Sequence, residues 1–483
     1  MLFNSYEFIF LFFPIVLGGY FFLGKWERRN WANIWLVLAS LCFYGYWDIM
    51  YLPLLMGSIL ANYLLSWGIL HARERQSKGG ARAVFFLALV FNLGLLGYYK
   101  YFNFLLKNLD RLGAGFELLE IVLPLGISFF TITQLLYLWD CYEGVTREHG
   151  FVSYALFVSF FPHLLAGPIL YHRQMMKQFA NPGLRHLNWE NMSRGMTLFV
   201  IGLMKKVLIA DTLSPYVGWG YSHTAELTLF SAWLVAISYM LQLYFDFSGY
   251  SDMAVGLSRM MNLEIPVNFN SPYRASSLIN FWQRWHISLT NALTACIYMP
   301  MMRFFKTQTL KHTILASFTT MFLVGIWHGA GWTYVVFAFM NAGGIAVNYV
   351  WKSKHFPMPK ILSHVVTLFY VLVTMVFFRA ASVTDAGRVL EAMAGANGIV
   401  WPQKIVHLGE VLGLSLPVGD VPGLLPKIIF ALAILLVAFC PNSNQLVKRM
   451  GTSARWLAVP LAAAFWYTVL QLDSVTEFLY FQF

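Results

Sequence analysis

The stretch HTILASFTTMFLVGIWHGAGWTYVVFAFMNAGGIAVNYVW, residues 312 to 351, decides the fold class. It holds two apolar runs, 312 to 328 and 331 to 351, each within the roughly 17 to 25 residues that an α-helix needs to cross a bilayer. Comparable runs recur near 5 to 24, 31 to 47, 50 to 70, 83 to 106, 118 to 139, 151 to 170, 195 to 213, 229 to 250, 361 to 379, 426 to 440 and 455 to 472. The chain therefore reads as an all-α, polytopic integral membrane protein with about 11 to 13 spans in a single domain, residues 1 to 483. Composition agrees: 58% of residues are hydrophobic, 18% aromatic and 11% charged, where a soluble domain carries about 25% charged residues. The mean hydropathy is +0.60.

A net charge of +11 could suggest nucleic acid, but the basic residues sit in short loops rather than in one stripe. Lys25, Arg28 and Arg29 follow the first run, and Arg73, Arg75, Lys78 and Arg82 follow the third. By the positive-inside rule both loops face the cytoplasm, which places the N-terminus outside. The first run has neither a basic leader nor a small-residue cleavage site, so it reads as a retained helix. Cys42, Cys141, Cys296 and Cys440 are scattered, without metal-ligand or redox spacing, and read as packing residues. No internal repeat and no matching pair of broken helices is visible, which argues against common transporter architectures.

Hydropathy weakens between Glu264 and Lys311. Pro266, Asn268, Asn270 and Pro272 oppose a continuous helix there. In the following INFWQRWHISLTNAL, Trp282 and His286 share one face if the segment is helical, and Arg284 and Ser288 share another. Irregular polar backbone at membrane depth is tolerated only inside protein or beside a wet cavity, so a re-entrant segment or funnel wall is expected. A second weak region runs from Ala380 to Lys427, where Ser382 with Asp385 predicts a capped short helix ending near Gly395 at a membrane surface.

His328, within GIWHGAGW, is the leading candidate for chemistry. Gly325, Gly329 and Gly331 each cost a helix roughly 1 kcal/mol, so their clustering implies close approach of another backbone or of a ligand. His286 is the second candidate, with Arg284 beside it. One imidazole as general base, another to orient and a cation for an anionic donor would suit acyl transfer. A zinc site lacks a third ligand at recognisable spacing, so no metal is expected. Asn280, Trp282, Trp285 and Trp327 flank the two histidines and are candidate substrate contacts together with Arg284. Asp246 and Asp252, in YFDFSGYSDMAVGL, are intramembrane carboxylates and candidates by default. They lie about 240° apart on a helix, so they form no paired face. Hydrogen bonding that holds a broken helix is the alternative role. His163, in FFPHLLAGPILYHRQM, precedes Gly167 and Pro168, which should end a helix, and this segment, continuing into His172 and Arg173, reads as structural.

With these stretches in view, the chain resembles the membrane-bound O-acyltransferase family, most closely its alginate O-acetyltransferase branch. The resemblance rests on FFPHLLAGPI at 160–169, DFSGYSDMAVGL at 246–257, NFNSPYRASSLINFWQRWHISLT at 268–290, GIWHGAGW at 325–332, MVFFRAAS at 375–382, CPNS at 440–443 and the terminal FLYFQF, in the family's order. It implies that His328 is the catalytic histidine, that His286 is the family's second histidine, and that a central funnel or tunnel crosses the membrane. It further implies that acetyl-CoA, not held as a bound cofactor, donates from the cytoplasm. The acetyl group would pass to an exported polysaccharide such as alginate, with a periplasmic acetyltransferase as partner and membrane lipids around the chain. Cellulose, peptidoglycan, teichoic acid or a lipid is the alternative acceptor. A proton-coupled transporter with His328, Asp246 and Asp252 as relay is the alternative class. One departure is visible: Met301 and Met302 stand where the branch usually has glycines after the tyrosine and proline, here Tyr298 and Pro300.

Overall fold

In a computed structural model, the stretch 312–351 forms a helical hairpin, Leu310–His328 and Trp332–Ser353, joined by three residues. The turn falls where the sequence places its glycines. The structure describes all residues except 27–29, 114, 147–149, 306, 403–417, 420–423, 450–457, 473–477 and 480–483. Arg28 and Arg29 of the first basic loop, and most of the terminal FLYFQF, therefore lie outside the described residues. Apart from two paired two-residue strands, Trp401–Pro402 and Val418–Gly419, the described elements are helices, as expected for an all-α membrane protein.

Seven described helices are long and apolar enough to cross a bilayer: Glu7–Gly24, Ile49–Glu74, Lys78–Asp110, Leu229–Met260, Leu310–His328, Trp332–Ser353 and Lys360–Arg379. A bent pair, Pro426–Phe439 and Ser443–Arg449, forms an eighth candidate. Trp31–Gly45 and Ala458–Val469 are shorter. Three expected spans differ: 195–213 is helical, in Trp189–Met204 and Lys205–Ala210, but is not among the long apolar helices, and two others are cut short. Within 118–139 the helix begins only at Ile127, after Pro124 and a left-handed Gly126 at φ 73°. Within 151–170 it stops at Ser159, and a single turn, Phe161–Leu164, precedes Gly167 and Pro168. A Cβ on Gly167 would lie 2.4 Å from the Cα of His163, so the tight reversal needs glycine.

The fold comprises two compact units that interleave along the chain. The first contains Met1–Leu203, Tyr250–Asn268 and Val447–Leu472. Its helices are joined by buried polar groups, since lipid supplies no hydrophobic force between helices. Asn62 and Asn92 exchange side-chain hydrogen bonds at 3.2 and 2.6 Å. Gln134 donates to Ser58 at 2.9 Å and accepts from the Tyr154 hydroxyl at 3.1 Å. Gly195 and Gly256 let two helices meet backbone to backbone, because a Cβ on either would lie 2.6 Å from the other's carbonyl oxygen.

The second unit contains Met204–Gly249, Phe269–Leu446 and Asp473–Phe483. Gly325 lets the hairpin helices touch: its Cβ would lie 2.4 Å from the Cβ of Ala338. The short helix Val383–Met393 is capped by Ser382, which accepts from the Asp385 amide at 3.0 Å, and it ends before Gly395 at φ 86°. The segment DFSGYSD is not a broken helix. It lies inside the unbroken 32-residue helix Leu229–Met260, most of whose side chains are buried in protein. Its carboxylates therefore do not serve to hold a break.

Candidate active site

His328 is the last residue of Leu310–His328 and is 3% exposed, so it faces protein rather than lipid. The helix stops there because Gly329 continues extended, and a side chain at Gly329 would enter the ring of Tyr334. The imidazole lies edge-on to Phe378, at 5.2 Å between centroids, and to Trp327, also at 5.2 Å. The Gly325 and Gly329 positions are thus filled by packing against Ala338 and Tyr334. Close approach of another backbone is therefore observed at Gly325, whereas Gly329 makes room for the Tyr334 side chain.

His286 reaches the same place by another route. The segment INFWQRWHISL is not one helix but two short ones, Leu278–Trp282 and Ile287–Leu293, so Trp282 and His286 do not share a continuous helical face. Between them His286 adopts φ 44° and ψ 51°, a left-handed conformation that costs a non-glycine residue roughly 1–2 kcal/mol. Arg284 holds the break: its Nε donates to Asn280 at 3.1 Å, its Nη1 to the Asn270 carbonyl at 3.2 Å, and its own carbonyl accepts from the Asn270 amide. Asn270 and Ser271 accept in turn from Asn442, while Arg274 donates to the carbonyls of Val437 and Cys440. The NFNSPYR and CPNS stretches, separate in sequence, are therefore one structural unit.

The His286 and His328 ring centroids are 6.5 Å apart. Trp327 lies against both, and Phe247 closes on His286 edge-on at 4.8 Å. His286 is fully buried, outside the long apolar helices, and burial pushes its imidazole pKa down, to about 3. Trp282 donates from its indole to Asn341 at 3.2 Å, which ties the His286 segment to the second hairpin helix. Trp285 is buried in a stack with Phe281 and Tyr273.

Asp246 accepts from Lys206 at 2.6 Å and from the Leu479 amide at 3.1 Å. Lys206 also donates to Asp211 at 2.8 Å and lies 4.7 Å over the Phe478 ring. This buried triad was not legible in the sequence, where Lys206 sat inside an apolar run. Its signal was that one unneutralised lysine needed a carboxylate. Asp252 belongs to the first unit and is buried there. His163 is buried in the first unit with Nε2 2.9 Å from the Phe157 carbonyl, the structural role expected of it.

Residues 116–384 match the model described as the membrane-bound O-acyltransferase family, and that match covers more than half of the chain. A peptidoglycan O-acetyltransferase of Helicobacter pylori is 36% identical over 100% of this chain and 98% of its own length.

This chain belongs to the membrane-bound O-acyltransferase family.

Its relatives also include a probable alginate O-acetylase of Pseudomonas aeruginosa, 37% identical over 86% of this chain and 78% of that protein. A teichoic acid D-alanyltransferase of Bacillus subtilis is 26% identical over 51% of this chain and 66% of that protein. The acyltransferase is thus a multi-span membrane enzyme, and its relatives are named for three different acceptors: peptidoglycan, alginate and teichoic acid.

Proposed function

We propose that this acyltransferase moves an acetyl group from acetyl-CoA, taken on the cytoplasmic side of a bacterial inner membrane, toward a sugar hydroxyl of a glycan outside it. A periplasmic acetyltransferase would complete delivery. The observation that carries the reading is the pair of buried histidines, 6.5 Å apart between ring centroids and shared by Trp327. Direct N–H···N bonding needs about 3 Å between nitrogens, which this spacing does not give. One oxygen between the rings could reach both.

His328 takes the proton of an acceptor hydroxyl as that oxygen attacks the thioester carbonyl. The resulting tetrahedral intermediate collapses with cleavage of the C–S bond, and the thiolate recovers the proton from His328. His286, held neutral by burial, hydrogen-bonds the same oxygen or the donor. Asn280, Trp282, Trp285 and Arg284 shape and anchor the His286 segment, and Trp327 contacts the substrate directly.

The end-to-end match with a peptidoglycan O-acetyltransferase makes peptidoglycan sugars the first acceptor to assay and alginate-type exopolysaccharide the second. Positioned general-base catalysis contributes about 10² to 10⁴ in rate, so His328→Ala should lose most transfer at wild-type abundance. Mass analysis of envelope glycans from cells with the wild type, with His328→Ala and without the protein tests this. Normal acetylation in the His328→Ala strain would sink the assignment, and acetate on neither glycan would move the acceptor elsewhere.

A further inference from the structure

We infer that the first unit carries a separate binding site for the phosphate groups of the acyl donor; this rests on the reading of a coenzyme A thioester as that donor. A cavity of about 610 Å³ is lined by Arg173, Lys177, Asn191, Arg259, Asn262 and Glu264, among others. Three cations thus face one carboxylate in a single basin, and among the described residues Lys177 and Arg259 have no ion-pair partner within 4.0 Å. Arg173 and Lys177 are four residues apart on the helix His172–Phe179, so they project from one face. The Nε of Arg259 is buried and has no hydrogen-bond partner among the described residues; a group of this kind is completed in a native fold by water, an ion or a ligand. Guanidinium forks and a lysine ammonium are the groups that recognise phosphate oxygens.

The walls are fixed before any ligand arrives. Asn262, at φ 60°, donates to the carbonyls of Leu184 and His186 at 2.9 and 2.7 Å and accepts from Asn191 at 3.0 Å. Gln178 accepts from the Glu264 amide at 2.6 Å and donates to its carbonyl at 2.9 Å. Such bonds hold a cradle open at low entropic cost to binding.

The location also suits a cytoplasmic donor. Gly24, at the end of the first span, packs on Arg185, and Asn33, at the start of the next helix, donates to the Phe179 carbonyl. Both flank the loop that carries Lys25. Arg173 lies close enough to Asp140 to act on its charge, and Asp140 is in the last turn of the helix Ile127–Glu143, whose Tyr142 carbonyl accepts from Arg73 of the second basic loop. The positive-inside rule places both loops in the cytoplasm.

The test uses the full-length protein in nanodiscs of zwitterionic lipid and measures binding of radiolabelled coenzyme A, with 3′,5′-ADP, inorganic phosphate and anionic-lipid nanodiscs as competitors. The variants are Arg259→Gln and Lys177→Glu; Lys177 is exposed, so its reversal leaves packing intact. The expected result is competition by 3′,5′-ADP and an affinity for coenzyme A about tenfold lower in each variant, the scale of one charge-assisted contact. Equal affinity in wild type and both variants overturns the site and leaves the donor reading standing. Variants that lose only sensitivity to anionic lipid assign the basin to a lipid headgroup and overturn it. A wild type that binds no coenzyme A overturns both the site and the donor reading.

Discussion

Replacing Gly325 by alanine tests how the first histidine is held. The new Cβ would sit 2.4 Å from the Cβ, 2.5 Å from the Cα and 3.1 Å from the amide nitrogen of Ala338. Carbon atoms pack at about 3.5–4.0 Å, so the hairpin helices must part by about 1 Å at this level. Overpacking of this kind costs about 1–3 kcal/mol. His328 is three residues further along the same helix and ends it, so it moves with the displaced segment. A 1 Å misplacement of reacting groups costs about 10² in rate. Gly325→Ala should therefore reduce acetyl transfer by reconstituted protein about a hundredfold while the chain still folds. Two controls sharpen the reading. Gly343→Ala, on the second hairpin helix, meets nothing within 4 Å and should be silent. Adding Ala338→Gly to Gly325→Ala removes the Cβ contact but leaves the Cα at 2.5 Å, so activity should stay impaired. Wild-type turnover in Gly325→Ala, or full rescue by Ala338→Gly, would refute the reasoning.

Two further outcomes follow from buried charge. His286 has a folded pKa of about 3 against about 6.5 in the unfolded chain, so between those values the unfolded state binds the extra proton. Its contribution to stability should be flat above about pH 6.5 and fall as pH drops toward 3, at up to roughly 1.4 kcal/mol per pH unit; thermal melts in detergent should show a shallower fall for His286→Phe, and identical pH slopes would remove the assignment. Lys206→Met strands Asp246 and Asp211 as buried charges, which costs about 3–5 kcal/mol when one partner of a buried pair is lost. Its monodisperse yield should collapse, whereas Asp246→Asn keeps the Asp211 pair and should be milder; a wild-type yield for Lys206→Met would show that the triad contributes little.

The membrane class, the hairpin at 312–351 and the exposed logic of its glycines were legible because apolar length and glycine clustering are local signals. Ser382, Asp385 and Gly395 gave both ends of a short helix for the same reason. Two of the lost spans show the limit: in 118–139 and 151–170 the apolar run is continuous, but proline and left-handed glycine decide where the helix starts or stops. DFSGYSD shows the opposite error. Serine, glycine and aspartate there weaken helix propensity, yet burial keeps the helix Leu229–Met260 whole, since tertiary packing routinely overrides propensity. Lys206 was invisible because its two carboxylate partners are 5 and 40 residues away.

The two histidines reach one place by devices of unequal visibility, and that difference can be tested. His328 stands at a helix end marked by local glycines. His286 depends on a left-handed break whose supports lie at Asn270 and Asn280, and nothing in QRWH announces it. Arg284 joins those supports through two different nitrogens of one planar guanidinium, a fork that a lysine ammonium does not reproduce. Arg284→Lys keeps the charge and loses the fork. If Arg284 serves chiefly to hold the break, the variant should lose turnover and thermal stability together, with little change in donor affinity. If the guanidinium instead grips an anionic donor, lysine should preserve stability and raise the KM for acetyl-CoA. Measuring kcat, KM and melting temperature on one preparation separates the two. A stable variant with raised KM and unchanged kcat would return Arg284 from the scaffold of His286 to the substrate.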